Sequence, residues 1–179
     1  MSLGGTLINH LFALRKLKST DRTFLKTILQ NKQLMLLGWG KTYTDIEVAQ
    51  WFQRIQAEYI SNGYSYYIVE KIDSNQLIGI ARLLKTTINK QEYTEIAYIV
   101  KEEFQKHGYA TLISKQLIEL AFNKFQLTQV IAQSNVENFA SQKVIKNIGM
   151  TYDFSYLRLQ NNRACEYQVY SIKANSKIE

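Results

Sequence analysis

The stretch Glu95-Ile96-Ala97-Tyr98-Ile99-Val100-Lys101-Glu102-Glu103-Phe104-Gln105-Lys106-His107-Gly108-Tyr109-Ala110-Thr111 decides the fold. Its first residues are mostly β-branched, aromatic or apolar and pattern as a strand. Lys101 to His107 is polar and turn-like. A helix then opens at Gly108, carrying Leu112, Ile113, Leu117, Leu120, Ala121 and Phe125 at helical spacing. Such a joint points several backbone N–H groups at one spot, and the helix N-terminus adds partial positive charge there. The spot suits a phosphate or pyrophosphate. Gly108 lets a ligand approach the backbone closely, and Lys106, His107 and Lys115 can add charge. The same joint can also be purely structural, so by itself it leaves function open.

Working outward, Val130-Ile131-Ala132 reads as a short apolar strand, and Asn138 caps a helix to about Asn147 that Gly149 ends. Residues 154–160 and 164–172 read as a closing hairpin around Asn161-Asn162. Upstream, Leu11 to Leu17 is a first strand, and Ser19-Thr20-Asp21 offers caps for a helix to about Leu34. Leu37-Gly38-Trp39-Gly40 breaks that helix. Thr44 and Glu47 form a capping box for a second helix with Val48, Trp51, Phe52, Ile55 and Tyr59 on one face, ended by Asn62-Gly63. Strands follow over Tyr64–Ile72, Gln76–Lys85 and Glu95–Val100. The order βαα-βββ-α-β-α-ββ predicts an α+β class, a mixed sandwich of sheet and helices. It is not a regular βαβ alternation, and no G-x-G-x-x-G is present.

Composition narrows the class. The chain has 179 residues, fitting one domain, and no proline, where about nine would be average at about 5% usage. Polyproline segments and Pro-rich linkers are thereby excluded. No apolar run reaches the ~20 residues of a membrane span. The first residues lack the pattern of a signal peptide, and Met1-Ser2-Leu3 carries no structural weight. One cysteine, Cys165, excludes an intrachain disulfide, so a reducing, cytoplasmic setting is expected. Cys165 itself reads as a small core residue on the last strand. His10 and His107 lack a second ligand at useful spacing, so no metal is expected. Net charge is +7, and residues 1–43 hold seven Lys/Arg against Asp21 alone. That excess fits either an anionic partner or a solvated basic face.

Two motifs in order sharpen this. Gln105-Lys106-His107-Gly108-Tyr109-Ala110 fits the pattern Q/R-x-x-G-x-G/A. After the next strand, Asn138, Ser141 and Gly149 fit N-x-x-S/A…G-F, with Met150 in place of the Phe. With these motifs, and in strand order over about residues 11–172, the chain resembles the GNAT superfamily of N-acetyltransferases. It is most similar to the branch that acetylates the N-terminal amine of ribosomal proteins, on Phe12-Ala13-Leu14-Arg15, Glu95-Ile96-Ala97-Tyr98 and Ser141. That branch also holds acetyltransferases for small amines and for antibiotics.

The resemblance implies one acetyltransferase domain over 1–179, with 1–6 disordered and 173–179 a tail. It implies a twisted, mostly antiparallel sheet of about six or seven strands, about four flanking helices, and strands splayed at the cofactor site. Acetyl-CoA is the implied cofactor, released as CoA, with no metal. Its pantetheine arm would pair with the main chain of Ile99, Val100 and Lys101. Its pyrophosphate would sit on Gln105, Lys106, His107, Gly108, Tyr109, Ala110 and Thr111. Asn138 would bond the pantetheine, and Lys143 or Lys146 could reach the 3′-phosphate. The implied reaction is direct attack of a primary amine on the thioester in a ternary complex. Amines are largely protonated at neutral pH (pKa about 10.4 for Lys, about 7.7–8.0 for an α-amine), so a base or water chain must take a proton.

Glu95 is the candidate base, or else it only orders substrate. Val100 N–H is a candidate oxyanion donor. Gln133 stands where one branch has a catalytic Glu, and Ile145 where many members have a Tyr acid. Ser141 is therefore the candidate proton donor, or else it packs the helix. Tyr98 and Tyr109 are further donors or core. The acceptor would lie between the first two helices and the last hairpin, against Trp39, Tyr43, Glu95 and Tyr156. Lys41 and Arg163 suit an acidic acceptor better than a polyamine. Acceptors in view are a peptide N-terminus, a ribosomal protein or a small amine, with no membrane and no direct nucleic-acid contact, the chain being a monomer or homodimer. The competing class is a catalytically weak acyl-CoA sensor, or an RNA-docking module built on the basic first third. Glu102 and Lys106 replace a Pro and a Gly that members often carry, which predicts a phosphate loop that is mobile until pyrophosphate orders it.

Overall fold

A computed structural model of the chain describes residues 11–36, 39–160 and 162–174. Leu37, Gly38, Asn161, His10 and both terminal segments named above lie outside the described residues, apart from Lys173 and Ala174. Among the described residues seven strands form one sheet: β1 Phe12–Lys16, β2 Tyr66–Lys71, β3 Leu77–Ile88, β4 Gln91–Val100, β5 Gln129–Asn135, β6 Thr151–Gln160 and β7 Arg163–Lys173. Five α-helices flank it: α1 Arg22–Leu29, α2 Lys32–Leu36, α3 Asp45–Asn62, α4 Tyr109–Glu119 and α5 Phe139–Asn147. The sheet order is β1-β2-β3-β4-β5-β7-β6, antiparallel except for β4 against β5. This is the mixed α/β sandwich of the GNAT fold.

The parallel pair is what positions a site. β4 pairs with β3 along its whole length, from Gln91 to Val100. Against β5 it pairs only at Glu95↔Ile131. Beyond that point the two strands part, and the edge of β4 from Ile96 to Val100 faces a cleft. Lys101 N–H donates to Ile78 C=O. By strand alternation, Ile99 and Ala97 also turn their main chain toward β3, while Val100 and Tyr98 turn theirs toward the cleft.

Side-chain alternation divides β4 between two cores. Ile96, Tyr98 and Val100 pack with α4 and α5 side chains such as Ile113, Leu117 and Ile145. Ile99 joins Leu25, Ile28, Trp51 and Ile55 beneath α1 and α3. Glu95 lies on this second face, almost fully buried.

Several boundaries differ from the sequence pattern. The predicted helix from Ser19 to Leu34 is two helices. Asn31 Oδ1 accepts from Leu34 N–H at 3.2 Å and starts α2 afresh. Asp21 does not cap α1, because its carboxylate accepts from Lys18 N–H at 2.7 Å and holds Arg15 at 2.7 and 2.9 Å. β3 and β4 extend to a two-residue turn at Asn89-Lys90, both left-handed (φ 49° and 67°). Lys in place of Gly hides that hairpin turn from pattern reading. β6 begins at Thr151 rather than residue 154, through a bulge between Tyr152 and Phe154. The capping box at Thr44 and Glu47 forms as expected, and Gly63 closes α3 at φ 81°.

The basic first third is largely taken up locally. Arg15, Lys26 and Lys41 form ion pairs, and Lys16 and Arg22 lie over the rings of Tyr59 and Phe52. No helix among the described residues is long and apolar enough to cross a membrane.

Candidate functional site

The loop after β4 has the geometry of an anion cradle. Lys106 (φ 63°) and Gly108 (φ 82°) are both left-handed, and no side chain caps the N-terminus of α4. The first N–H groups of that helix are therefore left to a ligand or to water. A Cβ added at Gly108 would meet nothing within 4 Å, so the space over it is open. Lys106 and His107 are exposed, and Thr111 half-buried. Gln105 takes a different part. Its Nε2 donates to Val100 C=O at 2.9 Å, tying the loop to the end of β4. Tyr109 packs edge-on against Phe12 and Phe104 and is a wall. Lys101 pairs with Glu103 and lies 5.8 Å from the Phe104 ring. The residues present fit a pyrophosphate group.

Across the cleft, Asn138 Oδ1 accepts from Ser141 N–H at 3.1 Å and so caps α5. Its amide nitrogen makes no bond to a described residue. Lys143 is exposed on the same helix, and Ile145 is buried in the core. The Tyr98 hydroxyl, carried by β4, lies near Ser141. Burial pushes the pKa of the Tyr98 hydroxyl up to about 12, although nearby Ser141 pulls the other way.

The opposite face of β4 carries a partly buried polar chain centred on Glu95. Arg82 on β3 holds Glu95 Oε2 at 2.5 Å and donates to Tyr66 Oη at 3.2 Å. Gln133 Nε2 donates to the same Glu95 oxygen at 3.0 Å, and Tyr156 Oη donates to Gln133 Oε1. Burial pulls the Arg82 guanidinium down, but the charge of Glu95 outweighs it and holds the cation firmly protonated. Glu95 Oε1 has no hydrogen-bond partner among the described residues. Trp39 lies 6.4 Å from Tyr66, ring to ring, and Arg82 sits 5.4 Å over the Trp39 ring. Tyr43 and Tyr156 are half-buried, which raises both phenols. Gln160, at the tip of β6, bonds Tyr167 Oη at 2.7 Å and reaches Leu36 C=O at 3.4 Å. The β6–β7 hairpin thereby closes over the end of α2.

The structure thus brings Glu95, Trp39 and Tyr156 to one face, and Tyr98, Ser141 and Asn138 to the other, with the open edge of β4 between them. Sequence reading missed Arg82, Tyr66 and Tyr167. The signal for Arg82 was present: in Ile80-Ala81-Arg82-Leu83-Leu84 it shares a face with Ile80 and Leu84, and an inward Arg requires a partner. Two surface depressions, one over α1 and α2 and one at the far end of β4 and β5, contain none of the predicted site residues. Among the described residues no group of three or more His, Cys, Asp or Glu could hold a metal ion.

Comparisons with known proteins bear on the family and the fold. An acetyltransferase (GNAT) domain model matches residues 12–151. An uncharacterized N-acetyltransferase, YnaD of Bacillus subtilis, is 34% identical over 56 residues, which is 31% of this chain and about a third (33%) of that protein. A GNAT-family acetyltransferase from Bacillus anthracis superposes with TM-score 0.80 at 18% identity, covering 93% of this chain and 96% of its own. A spermidine N-acetyltransferase from Vibrio cholerae, in complex with CoA and spermine, gives 0.78 at 18%, with 92% and 96% covered. A ribosomal-protein-S5-alanine acetyltransferase from Vibrio fischeri gives 0.75 at 17%, with 92% and 93% covered. At these identities the superpositions speak for the fold alone. With the family model spanning most of its length, and with the cleft, uncapped helix and open strand edge in place, the chain belongs to the GNAT family of acetyltransferases.

Proposed function

We propose that the chain is an acetyl-CoA-dependent N-acetyltransferase that acts on a primary amine by direct transfer. One observation carries this: the sheet divides at Glu95↔Ile131, so a buried carboxylate with one oxygen unpartnered sits where the cleft begins. Donor and acceptor would meet at that branch point.

The bound acetyl-CoA would supply an activated acetyl group as a thioester. The N–H groups of Gly108, Tyr109, Ala110 and Thr111 would hold its pyrophosphate, with Gln105 fixing the loop and Lys106, His107 and Lys143 adding positive charge. Val100 and Tyr98 would offer main-chain groups to the pantetheine. Lys101 offers none, since its N–H belongs to Ile78. Ile99 turns the same way as Lys101. The Asn138 amide would complete the hold. On the acceptor side, Trp39, Tyr43 and Tyr156 would orient the amine, and Glu95 Oε1 would take its proton, directly or through water. On the other face, the neighbouring hydroxyls of Ser141 and Tyr98 would return a proton to the departing sulfur. Base and acid thus approach the cleft from opposite sides of one strand. For the acceptor, the Glu95-Ile96-Ala97-Tyr98 strand favours a peptide N-terminus, and a small amine is the second reading.

The test is release of free thiol from acetyl-CoA with peptide N-termini and small amines, alongside a thermal-shift titration with CoA. Amine-dependent thiol release and a rising Tm are expected. No Tm rise at saturating CoA would sink the proposal.

A further inference from the structure

We propose that Arg82 is a specificity-determining residue: it restricts the acceptor to amines that carry no second cation. The inference rests on the acetyltransferase reading of the site and adds the charge class of its substrate.

A di- or polyamine keeps at least one ammonium charged while another amine reacts, since such groups titrate near pKa 10 to 10.4, roughly. Proteins hold an extra ammonium with carboxylates or with aromatic faces. Here Glu95, Glu47 and three of the aromatic rings are already occupied by the chain's own cations. Glu95, the buried carboxylate, is neutralised by Arg82 at 2.5 Å. Glu47, near the rim, is held by Lys41 at 2.8 Å. The aromatic faces follow the same pattern. Arg82 lies 5.4 Å over Trp39, Lys41 lies 4.5 Å over Tyr43, and Arg158 lies 5.3 Å over Tyr167. Among the described residues no carboxylate pairs with Arg158.

By strand alternation, Glu166 faces away, since it stands opposite Leu157 while Tyr167 stands opposite Tyr156. A second ammonium entering this face would find cations already over three of its rings and, among the described residues there, no carboxylate without a cation partner. An amine with a neutral or acidic remainder would find Arg158 and aromatic walls to meet it. Arg82 is central because it acts on both partners at once, the Glu95 carboxylate and the Trp39 ring.

The experiment compares three acceptors of one chain length: butylamine, γ-aminobutyrate and putrescine, whose remainders are neutral, anionic and cationic. The wild type should use butylamine and γ-aminobutyrate with kcat/KM about tenfold or more above putrescine, the low end for one incompletely screened charge contact. Arg82→Gln should shrink or invert that ratio, and Arg82→Lys should restore it. A CoA-induced Tm shift reports whether each variant is folded. Should Arg82→Gln not fold, Lys41→Gln and Arg158→Gln test the same argument from the rim, and each should raise relative use of putrescine. Equal use of putrescine by the wild type would overturn the inference while leaving the acetyltransferase reading intact. An unchanged ratio across all the variants would overturn it too. No turnover of any amine by a CoA-binding protein would overturn both.

Discussion

On one face of β4, five side chains are tied together: Tyr66 to Arg82, Arg82 to Glu95, Glu95 to Gln133 and Gln133 to Tyr156. At the end of the same strand, Lys106 to Gly108 is exposed and the following helix carries no side-chain cap. The first region is preorganised through interlocked side chains. The second presents backbone and is open. The contrast suits their tasks, since a reacting amine must be oriented to within a fraction of an ångström, whereas a pyrophosphate asks mainly for N–H groups and charge. It also divides the consequences of mutation: changes on the acceptor face should alter stability and turnover together, and changes in the loop should alter binding.

The strongest test of that division is Glu95→Gln. Loss of a general base lowers kcat/KM by about a hundred- to ten-thousand-fold. Leaving Arg82 buried without its counter-charge should also remove about 3–5 kcal/mol of stability. Arg82→Gln combined with Glu95→Gln should recover much of the stability and none of the activity, because both charges are then gone. CoA should still raise the Tm of the double variant. A fully active Glu95→Gln protein would remove Glu95 from the chemistry and leave it a purely structural residue.

Tyr98 tests whether the two sides of the strand are coupled. Burial lifts the pKa of its hydroxyl from the ordinary value near 10 to about 12, against the pull of nearby Ser141. The folded state therefore holds this proton more tightly than the unfolded state. The resulting stability is complete below pH ~10 and is lost as pH climbs toward ~12, by about 2–3 kcal/mol at ~1.4 kcal/mol per unit. Tyr98→Phe should flatten chemical-denaturation curves across that window. Tyr59, also pushed up to about 12 by burial, contributes a second share, so Tyr98→Phe removes only part of the slope. At neutral pH, Tyr98→Phe and Ser141→Ala should slow turnover to similar extents if the hydroxyls act as one unit. An additive loss in the double variant would break the pairing.

These two regions were also unequally legible. The cofactor loop could be read from sequence because its logic is local: strand, polar turn, Gly108 and helix follow one another within about twenty residues. The same holds for the capping box at Thr44 and for the strand order. The acceptor network joins residues 66, 82, 95, 133 and 156, which only the sheet brings together. Glu95 could be named from its strand, but its partner Arg82 lies on β3, and nothing in spacing reports a diagonal contact between strands. Tyr98 and Ser141 were each visible, and their proximity was not. The split of the first helix depended on which group Asn31 and Asp21 would bond, a competition that propensity does not resolve.

Two left-handed glycines sharpen the comparison further. Gly40 (φ 73°) and Gly108 (φ 82°) carry the same backbone strain on substitution, about 1–2 kcal/mol. Their surroundings differ. A Cβ at Gly40 would lie 2.3 Å from Gln160 Nε2, whereas one at Gly108 would project into open space. Gly108→Ala should therefore weaken CoA binding by about tenfold and leave acceptor KM alone. Gly40→Ala should displace the hairpin tip through Gln160, raising acceptor KM while CoA affinity holds. Isothermal titration and steady-state kinetics on both variants read this directly. If both variants changed CoA affinity alike, the two regions would not be separable.

Lys106 carries the smallest effect and the finest distinction. A lysine at φ 63° sits in the region glycine enters without strain. Its presence pairs a local strain with an added charge at the mouth of the anion cradle. Lys106→Gly should relieve about 1 kcal/mol, raising Tm by about 2–4 °C, and should weaken CoA binding with a shallower dependence on salt. Lys106→Asn separates the two terms, since Asn tolerates the left-handed region and brings no charge. It should reproduce the binding loss with less of the stability gain. In the wild type, amide exchange over residues 101–110 should slow when CoA binds, because ligand replaces water on the uncapped N–H groups. A Lys106→Gly protein that gained stability and kept its affinity at every ionic strength would show that the backbone alone holds the phosphate, and that the strain at Lys106 serves something other than charge.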